Sequence, residues 1–241
     1  MTRARVLLYT RYMKVHRIRG FMASSYLIES DGLFLVDAGF VGHWPLILAA
    51  IRCIGRRPQD LRLALVTHPH LDHFGGLPWL RDRAEFPVAA HPGSALTVSK
   101  GGKEYSPGLK TWSRAVAHLA KASLPHLSFR GAGPILGLAD GERLDRFGLP
   151  ATVLHTPGHT DGCVTVLLDD GTAFTGDLAQ GPTPVNHLPS PPAMATSPQS
   201  ALASWRRIID AGARRIMPGH GRSFSADDLA AVLGGLEVDA A

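Results

Sequence analysis

The run Thr67-His68-Pro69-His70-Leu71-Asp72-His73-Phe74-Gly75-Gly76 sets the strongest limit on what this chain can become. Three imidazoles and a carboxylate fall within a few residues, directly after Leu61-Arg62-Leu63-Ala64-Leu65-Val66, an apolar run that reads as a buried strand. Pro69 disfavours the helical conformation at His68. The chain is therefore expected to leave the strand extended, with His68 and His70 on a common side and with Asp72 and His73 diverging from that pair. The economical arrangement is two cations side by side, the first two histidines on one, Asp72 and His73 on the other, and further ligands arriving from distant loops. Imidazole and carboxylate without thiolate suit zinc first, with iron or manganese as other choices.

The same pattern of an apolar run ending in glycine, proline and a ligand type recurs along the chain. Residues 23–39 read as two strands joined by a turn at Asp31-Gly32 and ending in Asp37-Ala38-Gly39. Asp37 there either buttresses a neighbouring ligand loop or closes a local Asx turn. Leu46, Ile47, Ala50, Ile51 and Ile54 follow helical spacing, and Leu77 to Asp82 reads as a short helix. Alternation of strands and helices of this kind indicates mixed α/β architecture. A short strand, Pro87 to Ala90, delivers His91, which is open to a role as ligand, as support behind a ligand, or as a surface residue.

Residues 92–141 show little register beyond a helix over Leu109 to Leu124, and an insertion there is where a substrate pocket or lid would be built. His118 and His126 within it read as ordinary helix or loop residues. Strands follow over Gly141 to Phe147 and Ala151 to Thr156, the second running into Pro157-Gly158-His159-Thr160. A hairpin over 163–175 ends in Gly176-Asp177. Six prolines in 181–198 mark a loop without regular structure, with His187 lining a pocket or facing solvent. A helix over Ser200 to Ala211, a strand over Arg214 to Met217, the turn Pro218-Gly219-His220-Gly221 and a helix over Ser225 to Leu236, capped by Ser225, complete the pattern.

At 241 residues and 45% apolar composition the chain is expected to form one domain over 1–241 with the insertion at 92–141. No apolar stretch approaches the roughly 18 to 20 residues that span a bilayer, and the first ten residues make no convincing secretory signal. These readings lead to a cytoplasmic protein. Cys53 and Cys163, the two cysteines, form neither a zinc-finger spacing nor a redox pair. The net charge of +5, with Arg3, Arg5, Arg11, Lys14, Arg17 and Arg19 ahead of the first acidic residue, reads as a solvated basic edge more readily than as a nucleic-acid surface. It carries a weak preference for anionic small-molecule substrates. Nothing in the sequence speaks to oligomeric state.

Taken together, the Asp37-Ala38-Gly39 turn, the His-x-His-x-Asp-His cluster at 68–73, Gly158-His159-Thr160, Gly176-Asp177 and Pro218-Gly219-His220-Gly221 resemble the metallo-β-lactamase superfamily. The resemblance implies a four-layer αββα sandwich with two metals at one edge of the sheets. It implies that His68, His70 and His159 bind the first metal, that Asp72, His73 and His220 bind the second, and that Asp177 bridges them. Two zinc ions roughly 3.5 to 4 Å apart would share a water whose pKa falls towards about 7. Its hydroxide would attack a carbonyl or phosphorus while Asp72 guides the proton to the leaving group.

Asp177 in the bridging place favours the glyoxalase II-like, lactonase-like and phosphodiesterase-like branches over the lactam-hydrolysing ones. About 20 residues follow His220, short of the helical substrate domain of glyoxalase II itself. The favoured expectation is a dinuclear zinc hydrolase of a small ester, thioester or lactone. One alternative is a mononuclear iron persulfide dioxygenase, whose corresponding stretches Thr156 to Cys163 and Ala173 to Asp177 resemble, with His68, His159 and Asp177 on one iron. Against it, Leu178-Ala179-Gln180-Gly181-Pro182 replaces the basic, glycine-rich stretch expected there. The other alternative is a metal-dependent phosphodiesterase, suggested by the basic balance, for which an RNA-binding arm is lacking.

Overall fold

Two sheets and their outer helices organise the computed structural model, which describes residues 13–123 and 128–238. Apolar runs with β-branched and aromatic residues make the first sheet. Strand β1 (Lys14–Arg19) buries Ile18 while exposing Lys14 and Arg19, and pairs antiparallel with β2 (Ser24–Glu29). The Asp31-Gly32 turn folds β2 back on β3 (Leu33–Val36), which is buried throughout. After α1 (Trp44–Cys53) the chain adds β4 (Leu61–Leu65) parallel to β3. The short helices α2 (Leu71–Phe74) and α3 (Leu77–Arg81) then lead to β5 (Val88–Ala90), α4 (Pro92–Lys100), α5 (Thr111–Ser123) and β6 (Ile135–Gly137). The six strands lie in the order β1-β2-β3-β4-β5-β6, the last four mutually parallel.

The second sheet comprises β7 (Ala151–His155), β8 (Val164–Leu168), β9 (Thr172–Gly176), β10 (Arg215–Pro218) and β11 (Phe224–Ser225), in the order β11-β10-β9-β8-β7. Helix α6 (Pro198–Asp210) crosses between β9 and β10, so that those two strands are parallel, and α7 (Ala226–Val238) follows β11. Period-two alternation divides each strand between two apolar layers. Phe34, Val36, Leu63 and Leu65 face Val153, Val166, Phe174 and Met217 between the sheets. Leu33, Leu35 and Ala64 point the other way, onto Ile47 and Ile51 of α1 and Leu80 of α3. Ala173 and Ile216 meet Trp205 and Ile208 of α6 and Leu229 of α7. Four layers result, helix on sheet on sheet on helix, as the sequence led us to expect.

The expected strand over Gly141 to Phe147 is corrected. Arg143 makes a single bridge to Thr152, and Asp145–Phe147 form a 3-10 turn. Arg143 is drawn to both Asp145 and Asp169, and Arg146 reaches back to Glu142, contacts that favour a turn over an extended ladder. Within 92–141, α4 and β6 were not legible. Pro92 sits at the start of α4, where a missing N–H costs nothing, and the His91 side chain accepts from Gly93 N at 3.2 Å. Of the basic edge, Lys14, Arg17 and Arg19 lie on β1, whereas Arg3, Arg5 and Arg11 are outside the described residues, as is His126. Among the described residues no helix is long and apolar enough to cross a membrane.

Candidate metal centre

Every sequence-expected ligand leaves the C-terminal end of a strand. The cluster from His68 to His73 follows β4, His159 follows β7, Asp177 directly follows β9, and His220 lies beyond β10. Strands β7, β9 and β10 share one direction, as do β3 and β4, so these ends gather at one edge of the sandwich. The loops hold sharp turns. Gly158 adopts a φ of 146° and lies against α6, where a Cβ would stand 2.5 Å from Ala201 N. A Cβ on Gly219 would strike the carboxylate of Asp177 and come within 2.6 Å of His73 Cε1, so only a glycine lets that loop approach.

The seven side chains meet in three overlapping groups, His68 with His70 and His159, His68 with His73 and Asp177, and Asp72 with His73 and His220. Within each group the nitrogen and oxygen ligand atoms are within 4.8 Å of one another. In the first group the ring centroids form a near-equilateral triangle, 4.8, 4.7 and 4.6 Å on a side, with interplanar angles of 81°, 86° and 89°. Three planes so nearly perpendicular converge on one point, as three ligands of one ion do. Asp177 stands between the groups, with Oδ2 3.1 Å from His220 Nε2 and 3.8 Å from His159 Nε2, and Oδ1 3.2 Å from His73 Nε2. His220 Nε2 is 3.4 Å from Asp72 Oδ2.

The hydrogen bonds behind these rings decide which nitrogen faces inward. His73 Nδ1 donates to Asp37 Oδ2 at 2.7 Å, and His159 Nδ1 to the Met194 carbonyl at 2.6 Å. His68 Nδ1 lies 3.1 Å from Thr67 Oγ1, whose own hydroxyl donates to Asp37 Oδ2 at 2.8 Å. Asp37 Oδ1 takes Thr67 N at 2.8 Å, so this carboxylate is bonded across the sheet and closes no local turn. With Nδ1 occupied, the Nε2 lone pairs of His68, His73 and His159 point into the centre.

Buried polar atoms are nearly always paired, yet His68 Nε2, His73 Nε2 and Asp177 Oδ1 have no hydrogen-bond partner. A cation is what fits such a set. The protonation preferences agree. Burial, with neighbouring imidazoles, holds His68 well below its ordinary range and brings His70 down to about 3, while burial also lowers His159. That environment favours the neutral ring, the form that ligation requires. On the other side Asp177 raises His220 to about 10, and Asp177, Asp37 and Asp72 together outweigh burial to raise His73. The carboxylates there call for positive charge, which a metal ion satisfies in place of protons.

The centre forms the floor of a cavity of about 470 Å³ walled largely by apolar groups, among them Met22, Phe40, Trp112, Val116 and Met194. His70, Asp72, His159, Asp177 and His220 all border it. Ser106 and Tyr105, in the segment that was illegible in sequence, border it too. Ser106 Oγ donates to the His159 carbonyl at 2.6 Å and lies 3.5 Å from His70 Nε2, and the Tyr105 hydroxyl is buried without a partner. A lone serine or a backbone carbonyl such as that of Met194 leaves no sequence signal. His91 is elsewhere, stacked on His155 at 4.2 Å, and His187 is exposed on the proline-rich loop. Neither borders the cavity.

Fold and centre together define an αββα protein with a polar, cation-accepting site at the joined edge of its two sheets. A model of the metallo-beta-lactamase superfamily matches residues 18–220, and the chain belongs to that superfamily. It is 28% identical over 180 residues to the human acyl-coenzyme A thioesterase MBLAC2, an alignment covering 72% of this chain and 60% of the relative. To the bovine protein of the same name it is 27% identical over 174 residues, covering 69% of this chain and 58% of the relative. The chain thus spans under two thirds of the length of these curated relatives. Among solved structures it resembles the protein TTHA1623 in a di-iron-bound form, with a TM-score of 0.64, 27% identity, and coverage of 88% of this chain and 95% of that one.

Proposed function

We propose that this chain is a metal-dependent hydrolase that cleaves an acyl thioester, with esters and lactones as chemically neighbouring substrates, and that two zinc ions occupy its centre. The observation that carries this reading is the convergence of seven imidazole and carboxylate groups, three of their atoms buried without a hydrogen bond, on the floor of an apolar cavity. His68, His70 and His159 would hold one ion, Asp72, His73 and His220 the other, with Asp177 shared. Bound there, the ions would supply Lewis-acid polarisation of the acyl carbonyl and a water acidic enough to attack near neutral pH.

The remaining work falls to the chain itself. The apolar wall of Trp112, Val116 and Met194 takes the acyl group and keeps bulk water from the carbonyl. Asp72 takes the proton lost by water as the carbon–oxygen bond forms, and returns it to the sulfur as the carbon–sulfur bond breaks, so acid and thiol leave with no change of oxidation state. The relatives named for acyl-coenzyme A hydrolysis support the thioester.

The di-iron form of TTHA1623 keeps iron in view as the metal. A one-iron dioxygenase using His68, His159 and Asp177 leaves Asp72, His73 and His220 gathered without a purpose, and the apolar cavity disfavours a phosphodiester. Elemental analysis of protein purified without added metal or chelator, paired with thiol release from acyl thioesters, tests the proposal. About two zinc per chain with thiol release is expected. About one iron per chain, with oxygen uptake on a persulfide, would replace it.

A further inference from the structure

A second cavity, of about 570 Å³, adjoins the first and shares Met22 and His220 with it. Its character is opposite. Arg17, Arg19 and Arg222 line it, with Ser24 and Thr183 among its other polar residues, and no carboxylate borders it. Several other arginines are matched to acids, as Arg130 is to Asp82, Arg143 to Asp145 and Asp169, and Arg207 to Asp140. Among the described residues, Arg17, Arg19 and Arg222 have no ion pair. Arg17 is half-buried and is aimed by its donors: Nε and Nη2 reach Ser24 Oγ at 3.0 and 2.7 Å, and Nη2 also reaches the Gly221 carbonyl, next to His220. Ser24 N donates to the Gly219 carbonyl at 2.9 Å, tying this hairpin to the loop that carries His220. Arg19 and Arg222 are exposed at the rim.

Three guanidinium groups gathered without a counter-charge repel one another, and a multivalent anion relieves that repulsion. Planar guanidinium matches phosphate oxygens in paired hydrogen bonds. The metal centre therefore has an apolar cavity on one side and a cationic one on the other. Resting on the thioesterase reading above, we infer that the arginine cavity binds phosphate groups on the thiol side of the substrate. The acyl chain lies in the apolar cavity, the scissile carbonyl over the centre, and a phosphorylated thiol arm runs past His220 to Arg17, Arg19 and Arg222.

The test compares binding of coenzyme A and of pantetheine, which shares its thiol arm but carries no phosphate, to the metal-loaded protein by calorimetry. Because both thiols meet the metals alike, the difference reports the phosphoadenosine diphosphate portion, and the arginine substitutions and the salt dependence assign the share that its phosphates contribute. Coenzyme A is expected to bind about tenfold tighter, with the advantage shrinking as salt rises, and Arg19→Gln with Arg222→Gln is expected to remove most of it. Equal binding of the two thiols, or an advantage that survives the double substitution, overturns the inference. So does displacement of coenzyme A by a short single-stranded RNA at lower concentration than coenzyme A itself requires, which would reassign the arginines to nucleic acid. A separate arm measures thiol release from the acyl thioesters of both thiols. Tight, arginine-dependent binding without release of either thiol overturns the proposed activity and not the phosphate site.

Discussion

Asp37 is the residue on which the centre leans without belonging to it. Its φ of 57° places a non-glycine residue in the left-handed region, which aspartate tolerates better than most but which still costs of order 1 kcal/mol or more. The conformation turns both carboxylate oxygens onto Thr67 and His73, where charge-assisted bonds worth about 1.5 to 3 kcal/mol each outweigh the strain. Asp37→Asn sets an amide N–H against both the His73 Nδ1 proton and the Thr67 hydroxyl or, turned over, against the Thr67 backbone N–H. We expect metal affinity to fall about 10- to 100-fold, read by competition with a chromophoric chelator; unchanged affinity would show that His73 is oriented by other means. Asp72→Ala and His159→Ala act on the centre itself. Each is expected to abolish turnover while circular dichroism and the unfolding transition remain close to those of the parent, and full activity in either would remove the mechanism.

Among the elements, α6 does the most to place ligands it does not contain. Trp205, fully buried, donates from Nε1 to the Leu178 carbonyl at 2.9 Å, one residue beyond Asp177, and Ser204 Oγ donates to the Pro157 carbonyl at 2.8 Å, two residues before His159. One helix thus fixes two ligand loops. Trp205→Ala is expected to cost about 3 to 5 kcal/mol in denaturant unfolding, and Ser204→Ala about 1 kcal/mol. A Trp205→Ala cost below about 1 kcal/mol would mean the loop is held from elsewhere. Such an element is legible in sequence by its helical spacing, as the strands were by their period and by the glycine and proline that end them. The loops that bring the seven side chains together could be read because each follows such a strand with a histidine or aspartate. Other features could not be read, among them two elements and a backbone contact. Strand β6 has three residues and ends in glycine, α4 follows a histidine whose side chain caps it, and Met194 supports His159 through its backbone. In each case what matters is a local bond or a short edge contact, and neither imposes a period on the side chains.

At the scale of the whole molecule, the centre joins two sheets that are otherwise separate ladders. His68, His70, Asp72 and His73 come from the end of the first sheet, and His159, Asp177 and His220 from the second. Few direct bonds cross at that edge. Tyr26 donates from its hydroxyl to the Pro218 carbonyl at 2.6 Å, Ser24 N reaches the Gly219 carbonyl, and Val164 N reaches the Thr67 carbonyl at 2.9 Å. The apolar layer between the sheets does not depend on the ions, so a chelator is expected to loosen the edge and not to unfold the chain. By mass action, a site that binds only the folded state contributes about 2.7 kcal/mol when free metal is a hundredfold above Kd, which for a chain of this size is about 5 to 10 °C in Tm. Chelation should therefore lower Tm by about that much per site, reversibly with zinc. It should speed amide exchange in the loops around His68, His159, Asp177 and His220 more than in β7 or β8. A uniform rise in exchange would mean that the ions support the core as well as the edge, and an unchanged Tm would mean that the seven groups hold their places without them.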